Sequence, residues 1–457
     1  MAPSCTQCMR ARVECPGYRD ASTVCFRDET ERTAQKVQRQ NGRRNTLSAV
    51  SLCIRPDEIL VKHFLVGYAP SGSFSWLPLH YASVSSDVTL QLALQAAALA
   101  SISQESHQPK PLLEAARTRY AKAISRINAA LNDPKQAIQD STITAVLLMG
   151  LFEALVFKGR AFPARWTAHV EGSAALLKLR SDDQHNSPLG RRLFHHAITN
   201  IRTSYAQRGV PVPRELSLLG QSITHPHSPS HLEHEDLKAF TRVAPLVDAF
   251  AELRSAQLRL GATAASAQNS EDPVIFIQKC LDLDNKLRHL IDEMPQAWHP
   301  TTEIPSPEAD HHAYKGIMHS FTSPRVVRQR NILHMLRLWL SEWIVERTTH
   351  TSGSGSGSDG ETETAAACHR TTAEDSILHI LASVPFMISK SYGMPSSPAA
   401  RFLIWPLNTV GVSVLASAEA RMYVRRELGF LGREFNLPQA EEAARVVEER
   451  VFRVEDW

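Results

Sequence analysis

Cysteine is scarce in this sequence: seven among 457 residues, too few and too scattered for a disulfide-stapled scaffold. A reducing compartment and a fold held by its core are therefore expected. Long apolar runs are missing too. The most apolar window, Ile143 to Phe157, falls short of the roughly 20 residues of a membrane span and is interrupted by Glu153. It predicts a buried helix with a buried, paired glutamate, and no membrane partner. The first residues are basic and cysteine-bearing, with no apolar stretch of the secretory kind. A bias to one charge sign is nearly absent overall, since 50 Lys and Arg face 47 Asp and Glu. The signatures of catalysis are missing as well: no G-x-S-x-G elbow, no G-x-x-x-x-G-K-S/T phosphate loop and no H-E-x-x-H helix. No catalytic residue is assigned and no enzyme is expected.

What is present begins with an uneven charge distribution. Residues 1–44 carry nine Lys and Arg against five acids, a net +4 that leaves −1 for the rest of a chain whose total is +3. A short basic segment is the footprint of contact with nucleic acid or another polyanion. The same segment holds Cys5, Cys8 and Cys15 in the spacing C-x2-C-x6-C. Two thiolates two residues apart can hold one ion from a single turn, and a third six residues on can close upon it, which points to zinc. Three thiolates leave a tetrahedral ion one ligand short. Cys25, a water, a histidine or a second copy of the chain are the alternatives for the fourth place.

Beyond a polar linker at 28–53, which has no leucine heptad, apolar residues recur at i, i+3, i+4 and i+7 almost to the end. Helices are expected at 88–103, 112–132, 140–157, 164–180, 188–206, 236–261, 272–292, 326–347, 371–391, 405–430 and 438–451. Asp140 or Ser141 is expected as the N-cap of the third, and Trp405-Pro406 as a helix start or kink. The fold class is therefore all-α: a small cysteine-rich segment at 1–27, the linker, and a large helical domain over 54–457. Two insertions are expected as exposed loops, one rich in His, Ser and Pro near 222–236 and one rich in Gly and Ser near 351–364. Gly355, Gly357 and Gly360 satisfy G-x-G-x-x-G, but no strand precedes them, so no dinucleotide site follows. His225, His227, His231 and His234 sit in the first of those loops, which does not preorganise imidazoles for a metal. His195-His196 and His311-His312 are expected on a helix surface or in loops.

The N-terminal residues carry a resemblance. Pro3, Cys5 and Cys8, then Glu14-Cys15-Pro16-Gly17-Tyr18-Arg19, then Phe26-Arg27-Asp28-Glu29-Thr30 resemble the second half of the fungal zinc binuclear cluster (Zn₂Cys₆) and the tail that follows it in a large group of fungal transcription regulators. The stretches 147–155, 166–180 and 402–414 resemble the helical regulatory domain that accompanies such clusters. The resemblance implies a nuclear regulator of RNA polymerase II genes, with zinc on Cys5, Cys8 and Cys15. In that family six cysteines hold two zinc ions, and the first half carries the basic helix that reads the major groove. That half has no counterpart in these 457 residues. Arg10, Arg12 and Arg19 remain as phosphate contacts, which add affinity without sequence information, so DNA binding is expected to be weak and unselective. The alternatives are an incomplete gene product, a downstream start, or a short form lacking DNA binding that acts through its helical domain on itself or on a full-length regulator. A pocket between helices can take a small-molecule effector, whose identity the sequence does not name.

Overall fold

The computed structural model describes residues 6–14, 56–104, 109–157, 164–181, 183, 186–221, 231–262, 272–304, 311–352, 359–391 and 398–455. The chain divides into two units, Met1–Arg55 and Pro56–Trp457. In the first, α1 (Thr6–Ala11) is a short exposed helix. It ends at Arg12, whose φ of 53° is left-handed, and the Val13 N–H donates back to the Cys8 carbonyl at 3.2 Å. That pairing is the Schellman termination, in which the reversed residue lets orphan carbonyls find a donor.

The second unit is almost entirely helical. Its helices are α2 (Pro56–His63), α3 (Leu77–Val84), α4 (Val88–Ser103), α5 (Pro109–Leu131), α6 (Pro134–Ala137), α7 (Asp140–Val156), α8 (Ala164–Arg180), α9 (Pro188–Arg208), α10 (Arg214–Gln221), α11 (His231–Ala262), α12 (Pro273–Asp292), α13 (Pro324–Ser352), α14 (Asp359–Ala382), α15 (Val384–Ser389), α16 (Pro398–Val412), α17 (Ala418–Glu434) and α18 (Pro438–Glu455). Among the described residues the sheet content is one antiparallel pair, β1 (Thr301–Glu303) with β2 (Met318–Ser320), Thr301 lying opposite Ser320. No helix among them is long and apolar enough to cross a membrane.

The local signals explain most boundaries. Asp87 caps α4 by accepting from the Leu90 N–H at 2.9 Å, and Ser187 caps α9 by accepting from Gly190 at 2.8 Å. Ser417 and Asp272 do the same for α17 and α12, and Pro188 and Pro273 occupy first-turn positions where no N–H is needed. α9 ends at Gly209, φ 64°, a conformation glycine reaches without a Cβ penalty.

Several expectations are corrected and one is resolved. The N-cap of α7 is Gln139; Asp140 lies in the first turn, where its charge complements the helix dipole and pairs with Arg180 at 2.6 Å. Of the two expectations for Trp405-Pro406, a helix start or a kink, the interior position is the one found: α16 begins at Pro398 and carries Pro406 inside it. The helix predicted at 405–430 is two, broken between Val412 and Ala418. The His-rich insertion is shorter than expected, since α11 begins at His231, with Glu233, Glu235 and Asp236 in its opening turns. His231 and His234 are therefore helical; His225 and His227 lie outside the described residues. The Gly/Ser insertion is likewise bounded by helix up to Ser352 and from Asp359.

Two cores form. The larger runs from α2 to α13 and includes Phe64, Leu94, Leu148, Phe194 and Phe250; the smaller gathers residues from Tyr314 to Val447. α13 supplies both, with Leu333, Leu336 and Leu340 in the first and Val327, Met335 and Leu338 in the second. Phe250 of α11 stacks on Trp339 and Trp343 of α13 at 5.2 and 5.3 Å. Burying such a ring is worth roughly 2–3 kcal/mol, and each ring pair about 1 kcal/mol more, so this sandwich fastens α11 to α13.

A Cβ placed on Gly209 meets the Leu258 side chain at 2.3 Å. Leu258 is exposed and can turn aside, so Gly209→Ala is expected to destabilise the fold by about 1 kcal/mol, from the left-handed backbone. Urea denaturation checks this; an unchanged midpoint contradicts it.

Candidate functional site

The face of α9 that turns away from its apolar stripe repeats at helical spacing as Arg192, His195, His196, Thr199, Asn200 and Thr203. In the folded chain this stripe is only partly exposed, with His196 buried. It forms one wall of a cavity of about 540 Å³, a volume in the range of small-molecule sites. The opposite wall is the start of α13, with Ser323, Arg325, Arg328 and Gln329; Phe402 and Trp405 of α16 and Val243 and Val247 of α11 complete it. A second cavity, about 460 Å³, shares Ser73, His196, Asn200, Arg328, Phe402 and Trp405 with the first and continues toward Leu147, Leu151 and Trp166.

The first cavity is rich in cations. Arg192, Arg202, Arg325, Arg328 and Lys390 line it, and no aspartate or glutamate among the described residues does. Arg202 reaches outside the lining to Asp248 in a two-pronged pair at 2.7 and 3.0 Å, and Ser217 donates to the same carboxylate at 2.8 Å. Arg328 meets neutral groups instead. Its Nη1 donates to the Ser73 hydroxyl at 3.2 Å, and its guanidinium lies 4.3 Å from the centre of the Phe402 ring. Burial, then the nearby Arg325, pull its pKa down to about 10.

The two adjacent histidines register the same field. Trp76 Nε1 donates to His196 Nδ1 at 3.2 Å, which requires an unprotonated nitrogen there and sets the neutral tautomer. Burial, then Arg328, push the His196 pKa down to about 3. His195 is held at about 3 by burial, then Arg325, Arg192 and Arg202. Both were expected on a helix surface or in loops; they lie on α9, His196 buried and His195 half-buried, where the polar face lines a cavity to which α13 and α16 also contribute.

The second cavity is more apolar. Arg401 enters it already engaged, donating to the Ala154 carbonyl at 3.3 Å and to Gln439 and Gln104 at 3.2 Å each. Nearby, Glu153 is buried as predicted. Its cation is Arg165, at 4.0 Å and itself exposed.

The residues singled out in the sequence fall elsewhere. Cys8 lies half-exposed on α1, with Arg10 exposed on the same helix and Arg12 just after it. Cys5, Cys15 and Arg19 lie outside the described residues, as does Cys25. Among the described residues no group of three or more His, Cys, Asp or Glu is placed to hold a metal ion. As donors, the three thiolates suit zinc in chemical type and leave one tetrahedral position to another ligand. His312 sits in a turn, as expected, and bonds Glu427 at 2.7 Å. The cavity itself was missed. Its signal in the sequence, polar residues at 192, 195, 196, 199, 200 and 203, is the pattern of any solvated helix face.

Residues 72–208 match the family model of the fungal specific transcription factor domain. The match supports a fungal transcription regulator, and it spans the α9 wall of the first cavity; the α11, α13 and α16 walls come from beyond it. No curated protein and no solved structure matches the chain.

Buried imidazoles make the fold acid-sensitive. Burial lowers His195 and His196 to about 3, and His169, His319 and His379 to about 4, whereas unfolded imidazoles titrate near 6.5. Folded values below unfolded ones mean that the unfolded chain binds more protons between them. The stability these groups contribute is full above about pH 6.5 and is lost as pH falls toward 3. The melting temperature is expected to drop from pH 7 to pH 5, with unfolding at pH 5 taking up several protons, measured calorimetrically in buffers of different ionisation heat. A flat profile contradicts this.

Proposed function

We propose that the chain works in the nucleus as a fungal transcription regulator of the zinc-cluster type, acting at RNA polymerase II genes, with the helical unit as its regulatory part. One conjunction carries the reading: a single chain joins a match to the fungal specific transcription factor domain at 72–208 to a basic C-x2-C-x6-C segment at Cys5, Cys8 and Cys15. Zinc, when bound, cross-links the three thiolates and so orders a segment too short to build a core. Arg10, Arg12 and Arg19 then neutralise DNA phosphates, and each contact makes affinity depend on salt.

Three thiolates against a tetrahedron's four places favour a second reading: a regulator that does not read DNA and works through its helical unit on a second copy or on a full-length regulator. The two separate in one experiment on the purified 457-residue protein, combining metal analysis with gel shifts over a salt series. The first reading expects retained zinc, lost in Cys8→Ser, and weak binding that falls with log salt at a slope of about −3 or shallower for three phosphate contacts. Arg10→Ala with Arg12→Ala is expected to flatten that slope by about 2, equally for specific and scrambled DNA. Absence of both zinc and DNA affinity at low salt rejects it in favour of the second. Sequence-selective binding tighter than about 10⁻⁸ M shows that the three-cysteine segment reads bases and overturns the expectation of weak binding.

A further inference from the structure

We infer that the cavity between α9, the first turn of α13 and α16 binds a small organic anion bearing carboxylate or phosphate groups, seated on Arg328 and flanked by Arg192 and Arg325. The inference goes beyond the regulatory reading and does not depend on zinc or DNA at the N-terminal segment.

Four observations carry it. Five cationic side chains line the cavity and no carboxylate among the described residues does, so the lining is positive even with Arg202 held by Asp248 behind it, and such a surface favours an anion. Arg328 is the centre of that imbalance. Its hydrogen bond goes to the neutral Ser73 hydroxyl, its ring contact is to Phe402, and its charged neighbour is Arg325. A guanidinium offers five N–H donors in a fork that fits carboxylate and phosphate oxygens.

The start of α13 supplies further positive potential. Ser323, Pro324 and Arg325 all line the cavity, so the positive end of a 29-residue helix is turned toward it. The shape then restricts the anion. About 540 Å³ is several times the volume of an inorganic ion, and the wall shared with the second cavity presents Phe402 and Trp405. Such a site suits an anionic head on the arginines and an organic body against the aromatic rings. Asn200 and Thr203, which line both cavities, offer neutral hydrogen bonds for hydroxyl or carbonyl groups between the two.

Thermal melts of the full 457-residue chain test the site, titrated with citrate, glucose 6-phosphate and inorganic phosphate at ionic strength held constant with sodium chloride. Glucose and spermine serve as neutral and cationic controls. At least one of the two organic anions is expected to raise the melting temperature saturably, and more than inorganic phosphate does, while the controls do not; citrate against glucose 6-phosphate separates carboxylate from phosphate preference. Arg328→Met is expected to weaken the apparent Kd at least tenfold. Because that residue is half-buried against Ser73 and Phe402, the double variant Arg192→Gln with Arg325→Gln provides a second reading, and a loss of about tenfold is expected with an unchanged circular dichroism spectrum. Failure of both organic anions to give a saturable shift overturns the proposal. So does a shift that persists undiminished in the double variant, and an equal response to inorganic phosphate removes the organic ligand.

Discussion

Having a core on each side of α13 is the constraint on which the rest of the structure depends. A helix buried through its middle has little solvated face there on which to place polar groups, yet α13 contains Arg330, Asn331, His334 and Ser341, all buried. The structure meets the demand locally. Asn331 donates to Ser383 at 3.1 Å, and Arg337 holds Asp284 in a two-pronged pair at 2.7 and 3.2 Å. His334 has no such partner for its ring nitrogens among the described residues; it stacks on His379 at 4.5 Å, and burial, then His379 and the neighbouring arginines, hold it neutral. Removing one member of such a buried pair leaves its partner unsatisfied, at a cost of about 1–3 kcal/mol.

At its N-terminal end α13 borders the first cavity, and there charge collects. Two cations from its first turns face two from α9. Arg202 is answered by Asp248, while Arg328 is met by a hydroxyl and an aromatic face. The pair His195 and His196, between these arginines, stays neutral because a further proton would add a like charge in a desolvated place. The same positive field that suppresses protonation of the imidazoles is what an anion would relieve.

The helices bordering this place are also the interrupted ones. Pro245 lies inside α11 and Pro406 inside α16. Each lacks an N–H, so the carbonyls four residues earlier, those of Thr241 and Phe402, lose their helical donor. Both interruptions lie beside the cavities, near Val243 and Val247 in one case and Phe402 and Trp405 in the other.

The helical fold was legible because amphipathic periodicity is a local property. The stretches at 88–103 and 164–180 match helices α4 and α8 end to end, and most other boundaries fall within a few residues, but the helix expected at 371–391 is two, Asp359–Ala382 and Val384–Ser389. Errors came where a local rule has two outcomes. A proline reads equally as a helix start or as an interior break, and the sequence leaves both open for Pro406; the single helix expected over 405–430 is wrong, since it breaks between Val412 and Ala418. An acidic residue near a helix start serves as a cap or as a first-turn charge, and Asp140 is the second. By itself the sequence determined the all-α class, the buried Glu153 and the resemblance of the cysteine-rich start, because each rests on residues close together in the chain. Only the tertiary structure decided that the polar face of α9 meets Arg325 and Arg328, more than a hundred residues later in the chain. Periodicity tells which residues share a face but not what covers it, so a cavity wall and a solvated surface read alike until the helices pack.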